Sequence, residues 1–221
     1  MPGRWTVVIK SIIMAPSTAN VKVTVGDDRG EERFFILREL WQKLLEKAPV
    51  KEGTKVTESL YTAICGLADR TRAVAEAGRI IAGSDKSRKE IEKKLKDKGF
   101  SEKHAVYATA AYVRRGLLDD RSACVRIAEK EVRNKHRGRH RVISYLTSRG
   151  FERQDAQVAA DAVAGELYDE ALEYNIEHRY PGILSGDRDE KRKAFAALVR
   201  MGFDTGEIWS CADRMKDETG R

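Results

Sequence analysis

The chain has 221 residues and a mass of 24.9 kDa, which is enough for one medium-sized domain with a smaller one beside it. Charged residues make up 35% and there are only 4 prolines, a composition that favours a mostly helical protein and excludes collagen, Pro-rich disorder and small disulfide-stapled scaffolds. The net charge of +7 permits an anionic partner without identifying one.

The three cysteines lie far apart in the sequence, at Cys65, Cys124 and Cys211, and none has the spacing of a zinc ligand. Such sparse cysteines are typical of a reducing cytoplasm. No apolar run approaches the roughly 20 residues that a membrane helix needs. The sequence therefore predicts a cytoplasmic protein with no membrane partner.

Alternating apolar residues predict strands in the first part of the chain. Trp5–Lys10 alternates, Val21–Val25 alternates again after a turn, and Arg33–Leu37 forms a candidate third strand. Arg38–Ala48 follows as a short helix that Pro49 ends. We expect a small β-hairpin or meander that packs on its own helices, since a hairpin alone is marginal in water.

Helical periodicity dominates the rest of the chain. Leu60, Ile64 and Leu67 share one helical face, and helix formers continue to Ala82. The stretch 83–85, with the sequence Gly-Ser-Asp, then breaks the pattern. We therefore place a boundary between an N-terminal domain and the remaining chain at this point.

An internal repeat is the most informative feature of the sequence. The pattern LxxxGF occurs at Leu95–Phe100, Leu146–Phe151 and Leu198–Phe203, with the glycines 51 and 52 residues apart. Glycine can take the left-handed conformation that ends a helix, and the following Phe can fold back onto the last turn. The three phenylalanines are therefore predicted to pack in the core and not to stack on bases.

Each repeat of about 50 residues has room for three short helices. Helices are predicted at 87–98, 101–115, 119–136, 139–149, 153–165, 169–179, 187–200 and 204–216. The predicted domains are 1–83 (β-hairpin plus helices), 84–136 (repeat 1), 137–184 (repeat 2) and 185–221 (repeat 3). The fold class is mainly α, with tandem helix-turn-helix-like repeats in an elongated array behind the small β element.

Between about Arg79 and Met215 the sequence resembles the RecX family of regulators of the RecA recombinase. The resemblance rests on ordered motifs: the corner ending at Phe100, GLLDD at 116–120, the basic link at 135–139 and the second corner ending at Phe151. It implies a small cytoplasmic protein of three-helix units that lies in the groove of the RecA–single-stranded DNA filament. It further implies inhibition of ATP hydrolysis, strand exchange and coprotease activity, with no catalysis by the regulator itself.

The basic charge is concentrated in the first two repeats. Residues 86–153 hold 20 basic and 9 acidic residues, a net charge of +11, which exceeds that of the whole chain. Such clustering is typical of a surface that meets phosphates, although a solvated helix face would give part of it. The residues predicted to contact DNA phosphate or acidic RecA surface are Arg88, Arg114, Arg115, Arg126, Lys130, Arg133, Arg137, Arg139 and Arg141.

Patterns for catalysis are missing from the sequence. His136 and His140 lie four residues apart, but no acid stands between them as in a zinc protease motif. Asp119 and Asp120 follow a turn and suit a helix start better than acid–base chemistry. No phosphate-binding GxxxxGK[ST] loop occurs. We therefore predict a protein that is not an enzyme and uses no cofactor and no metal.

Two other functions remain open at the level of the sequence. Three-helix units with tight turns also occur in helix-turn-helix proteins, so the chain could bind duplex DNA without RecA. A helical scaffold for an unrelated protein is the third candidate, and it predicts little salt-dependent affinity for DNA. The predicted partners are the RecA nucleoprotein filament and single-stranded DNA, with duplex DNA as the alternative, and the expected state is a monomer.

Overall fold

The structure is a computed structural model that describes residues 7–83, 85–185 and 187–219, and this part of the chain forms three strands and eleven helices. The strands are β1 (Val8–Ile13), β2 (Asn20–Gly26) and β3 (Glu31–Leu37). The helices are α1 (Arg38–Leu45), α2 (Glu58–Ala82), α3 (Arg88–Asp97), α4 (Glu102–Arg114), α5 (Asp120–Lys135), α6 (Arg139–Ser148), α7 (Arg153–Asp161), α8 (Gly165–His178), α9 (Gly182–Ser185), α10 (Arg188–Arg200) and α11 (Thr205–Thr219). The predicted class, mainly α with a small N-terminal β element, is confirmed.

The chain divides into two compact units. Unit 1 comprises Met1–Ala82 and Glu92–Arg115, and unit 2 comprises Gly83–Ile91 and Gly116–Arg221. The division passes through the first predicted repeat because α4 packs along α2 in unit 1. The four predicted segments describe the periodicity of the sequence, and their boundaries stay a prediction.

Unit 1 is built on an antiparallel sheet in the order β1-β2-β3. The alternating valines of β2 explain its core, since Val21 pairs with Ile36 and Val23 with Phe34, and all four side chains are buried. Trp41 of α1 is fully buried on this sheet core. The predicted positions Trp5 and Thr6 lie outside the described residues.

The first strand extends further than its sequence predicts. Regular alternation stops at Lys10, but a bulge between Ile9 and Ser11 keeps β1 paired with β2 as far as Ile13. The Ser11 hydroxyl donates to the Thr24 hydroxyl at 3.0 Å across the two strands. A bulge shifts the side-chain alternation, which is why the period-two pattern did not reveal the whole strand.

Small residues let α4 approach α2 closely. The buried face of α4 carries Ala105, Ala108 and Ala111. A Cβ atom at Gly78 of α2 would lie 2.2 Å from the hydroxyl of Tyr112, so only glycine fits there. The same hydroxyl donates to the Val74 carbonyl at 3.1 Å, which satisfies its polar end inside the packed surface.

All three LxxxGF segments form the predicted helix corner. Gly99, Gly150 and Gly202 have φ values of 88°, 87° and 96°, in the left-handed region. In each corner the Phe amide donates to the carbonyl of the Leu five residues earlier, at 3.1, 3.3 and 3.3 Å. This bond is that of a Schellman cap, and it explains why Leu and Phe recur together. Phe151 and Phe203 are buried, as predicted, whereas Phe100 is only partly buried.

Unit 2 also repeats one contact, in which the start of a repeat's first helix is hydrogen-bonded to the LxxxGF corner of the next repeat. We call this contact the joint. Ser87 lies twelve residues before Gly99, and its hydroxyl donates to the Arg149 carbonyl at 2.6 Å. Gly138 lies twelve residues before Gly150, and its amide donates to the Met201 carbonyl at 2.9 Å. The two acceptors each directly precede a corner glycine, so the two contacts are equivalent.

Side-chain pairs reinforce both copies of this joint. Lys89 lies 2.7 Å from Glu152 in the first copy, and His140 lies 3.2 Å from Asp204 in the equivalent second copy. A Cβ atom on Gly202 would be 2.3 Å from the Arg141 amide nitrogen. The corner glycines of unit 2 therefore serve two purposes, namely the helix cap and the close approach of the preceding helix start.

Two features of unit 2 differ from the predicted helices. Gly165 begins α8 and does not end α7, and the short α9 at Gly182–Ser185 was not predicted. The Tyr168 hydroxyl donates to the Ala160 carbonyl at 3.0 Å, which ties the first turn of α8 to the last turn of α7. Contacts of this kind come from packing, and helical periodicity does not reveal them.

Candidate functional site

Two of the predicted basic residues on α5 form a bound cluster with Asp85. The Arg126 guanidinium lies 2.8 Å from one Asp85 carboxylate oxygen, and the Lys130 ammonium lies 2.9 Å from the other. Their spacing of four residues puts both cations on one helical face. The hydrogen bond from Lys130, followed by that from Arg126, lowers the pKa of Asp85 against the opposing effect of burial.

Replacing Asp85 with asparagine is expected to lower the free energy of unfolding at pH 7 by about 1 kcal/mol. The folded-state pKa lies below the ordinary value of 3.8, so the carboxylate contributes stability above that value and loses it as the pH falls through the folded-state pKa. Urea unfolding of the wild type and D85N should show a gap at pH 7 that narrows at about pH 3. An equal gap at both pH values would contradict the ion-pair explanation.

Two further predicted cations, near the start of α6, are held by acidic side chains. Arg137 lies 2.5 Å from Glu131 and its guanidinium sits 4.8 Å from the centre of the Tyr145 ring. Arg139 lies 2.6 Å from Asp161 of α7. These contacts stabilise unit 2, and they reduce the charge that the two arginines offer to a partner.

Three predicted residues of unit 2 remain exposed and carry no ion pair among the described residues. They are Arg88 at the start of α3, Arg133 near the end of α5 and Arg141 in the first turn of α6. The backbone amide of Arg88 donates to the Asp120 carboxylate at 2.9 Å. The residue is exposed, so its guanidinium lies in solvent. These three side chains are the cations of the predicted set in unit 2 that are best able to meet an anion.

Arg114 and Arg115 belong to unit 1 and lie at the end of α4. Both side chains are exposed, and neither has an ion pair within the described ranges. The Arg114 guanidinium sits 6.0 Å from the centre of the Tyr107 ring, a cation–π distance. The nine predicted residues are therefore divided between two units and between bound and free cations.

A partly buried ion pair at the first joint was not predicted from the sequence. Arg149 lies 2.8 Å from Glu90 and also donates to the Asp85 carbonyl at 2.9 Å. Burial is the largest single influence and would lower the pKa of Arg149, but the hydrogen bonding and charge of Glu90 together with the effect of Tyr145 outweigh it and raise the pKa. Glu90 is detectable in the sequence only as the capping-box partner of Ser87, and both bonds of that box form.

The thiol of Cys124 is buried, and burial raises its pKa to about 11. It is therefore protonated at neutral pH and is not an activated nucleophile. None of the helices within the described ranges is long and apolar enough to cross a membrane. The chemistry that the exposed surface of unit 2 offers is consequently that of fixed positive charge beside bound ion pairs.

Comparisons with known proteins give relatives in sequence and neighbours in fold. Two curated relatives are named regulatory protein RecX. The one from Chlorobium phaeobacteroides (strain BS1) is 26% identical over 149 residues, covering 66% of this chain and 95% of the relative. The one from Stenotrophomonas maltophilia (strain R551-3) is 29% identical over 138 residues, covering 61% of this chain and 82% of the relative. No protein-family model matches the chain.

Solved structures provide the comparison of folds. A crystal structure of regulatory protein RecX has a TM-score of 0.73 at 17% identity and covers 94% of this chain and 99% of its own. The crystal structure of RecX from Lactobacillus salivarius has a TM-score of 0.60 at 18% identity and covers 67% of this chain and 97% of its own. The sequence relatives and the structural neighbours all carry the RecX name, and the chain is similar to RecX proteins in sequence and in fold.

Proposed function

We propose that this protein is a negative regulator of RecA that binds along the RecA–single-stranded DNA filament. Its similarity to curated proteins named regulatory protein RecX supports a regulatory role. The observation that carries the proposal is the concentration of charge, +11 within residues 86–153, together with exposed cations that no acidic side chain of the described chain neutralises. When such cations neutralise DNA phosphates, the counterions condensed on the DNA are released, and this release favours binding.

The free arginines act by attraction and positioning and not by reading bases. Arg88, Arg133 and Arg141 contact DNA phosphates, and Arg126 and Lys130 add their charge when a phosphate competes with Asp85. The exposed ring of Tyr174 in unit 2 is already stacked between His136 and His178, with ring-centre distances of 3.8 and 4.5 Å. The binding is therefore expected to be independent of sequence and sensitive to salt.

Binding along the filament inhibits ATP hydrolysis, strand exchange and coprotease activity in this proposal. The protein then acts in the cytoplasm, in DNA repair by homologous recombination and in the SOS response. It performs no chemistry itself, because its contribution is to occupy the filament. A stand-alone protein that prefers duplex DNA is the competing function.

The test is ATP hydrolysis by the cognate RecA on single-stranded DNA, titrated with the protein at about 50 and about 200 mM salt. Inhibition near one protein per binding site, weakened at the higher salt, is the expected result. An unrelated basic protein of similar net charge serves as the control for non-specific coating of the DNA. The proposal would be contradicted if the folded protein left ATP hydrolysis unchanged. It would also be contradicted if the protein bound duplex DNA more tightly than the filament.

A further inference from the structure

A groove of about 450 Å³ in unit 1 combines an apolar floor with a basic rim. Leu40 and Leu44 of α1 and Leu67 of α2 line the floor, and Gly66 leaves it open because it has no side chain. Lys43 and Lys47 of α1 lie on the rim with Arg70 of α2 and Lys103 of α4. Every residue that lines the groove belongs to unit 1.

The charge of this groove is unbalanced. Neither Lys43, Lys47, Arg70 nor Lys103 has an ion pair among the described residues, and no carboxylate lines the groove. The guanidinium of Arg70 lies 5.4 Å from the centre of the Tyr107 ring, a cation–π contact that leaves its positive charge without an acidic partner. Cations without an acidic partner attract an anionic partner.

The chemistry of the lining selects one kind of occupant. The floor is aliphatic, and the lining has no Phe, Tyr or Trp ring on which a base could stack, its one ring being the imidazole of His104; this argues against single-stranded DNA. An apolar side chain would fill the floor, and carboxylates beside it would meet the rim cations. A peptide segment that carries Asp or Glu around a large aliphatic residue satisfies both requirements.

We propose that this groove docks an acidic segment of this kind on the RecA protein. The inference rests on the proposed function. It assigns the contact with the RecA protein to unit 1 and the contact with DNA phosphates to the free arginines of unit 2. Loss of the groove should therefore weaken inhibition of RecA while the affinity for free single-stranded DNA is retained.

Gly66→Leu is the most direct test, because it fills the groove from inside a helix. A Cβ atom at Gly66 would meet no other atom within 4 Å, and leucine favours a helix more than glycine does. The urea midpoint should equal or exceed that of the wild type. Half-inhibition of RecA ATP hydrolysis should nevertheless need about tenfold more protein, with the affinity for free single-stranded DNA within about twofold of the wild type.

A charge-reversed pair tests the rim independently. Lys43→Glu/Lys47→Glu should weaken inhibition by about tenfold. The matched control is Lys51→Glu/Lys55→Glu, which makes the same change in net charge at exposed positions of unit 1 outside the groove. The control should inhibit like the wild type.

The outcomes separate the inference from the proposed function. A wild type that does not inhibit RecA would overturn both. A wild type that inhibits, with Gly66→Leu equally active, would overturn the groove alone. Parallel loss of affinity for free single-stranded DNA in the groove variants would also overturn it, because the groove would then serve the nucleic acid.

Discussion

Gly202→Ala should lower the free energy of unfolding of unit 2 by about 3 kcal/mol or more. Part of the loss is conformational, since a φ of 96° costs a residue with a Cβ atom about 1–2 kcal/mol. The remainder is steric, because the new Cβ atom would lie 2.3 Å from the amide nitrogen and 2.9 Å from the Cα atom of Arg141. Both atoms belong to the backbone and cannot move without disrupting the joint.

The other two corners supply graded controls for this substitution. Gly99→Ala meets no atom within 4 Å, so only the conformational cost of about 1–2 kcal/mol applies. Gly150→Ala is expected to fall between the two, since its Cβ atom would lie 2.9 Å from Cβ of Lys89. Urea denaturation followed by circular dichroism gives the three values. Equal losses at all three glycines would show that the joint contributes nothing beyond the helix cap.

Arg133→Glu/Arg141→Glu should weaken binding to single-stranded DNA by about 10- to 100-fold at low salt. Both side chains are exposed and have no ion pair in the described ranges, so their full charge is available to phosphates. The slope of log affinity against log salt should fall in magnitude by about 1.4, or about 0.7 for each phosphate that is no longer neutralised. Fluorescence anisotropy with a labelled oligonucleotide over a range of salt concentrations measures both quantities.

Two further variants show whether the effect is specific. Arg133→Ala/Arg141→Ala removes the same cations without placing a new acid at the end of α5, and it should give a smaller loss of affinity with the same change in slope. Lys193→Glu/Arg200→Glu makes the same double charge reversal on exposed residues of α10 and should change affinity little. Equal losses in the α5–α6 and α10 variants would indicate that net charge alone controls binding.

Arg137 would be a poor choice for this experiment, although the sequence places it in the densest part of the basic cluster. Its side chain is ion-paired with Glu131 and lies over Tyr145. A glutamate at this position would replace the 2.5 Å ion pair with Glu131 by repulsion between two carboxylates. The resulting loss of stability would obscure any loss of binding. Periodicity alone does not distinguish Arg137 from Arg133.

Local signals explain why most helices could be predicted. The Ser87 and Glu90 capping box begins α3, and Ser101 caps α4 by accepting from the His104 amide. These features depend on residues within one turn of each other, and the sequence displays them directly. The bulge in β1 and the start of α8 depend on cross-strand and inter-helix contacts, and there the predictions of the sequence were incomplete.

The amino-acid sequence by itself determined the three helix corners, because Leu, Gly and Phe of LxxxGF interact within a single turn. It also determined the concentration of basic charge, which depends only on composition along the chain. Only the tertiary structure decided which cations stay free. The partner of Arg126 lies 41 residues away, and that of Lys130 lies 45 residues away, so packing over these distances selects the bound cations. The groove around Gly66 likewise exists only because α1, α2 and α4 meet in unit 1.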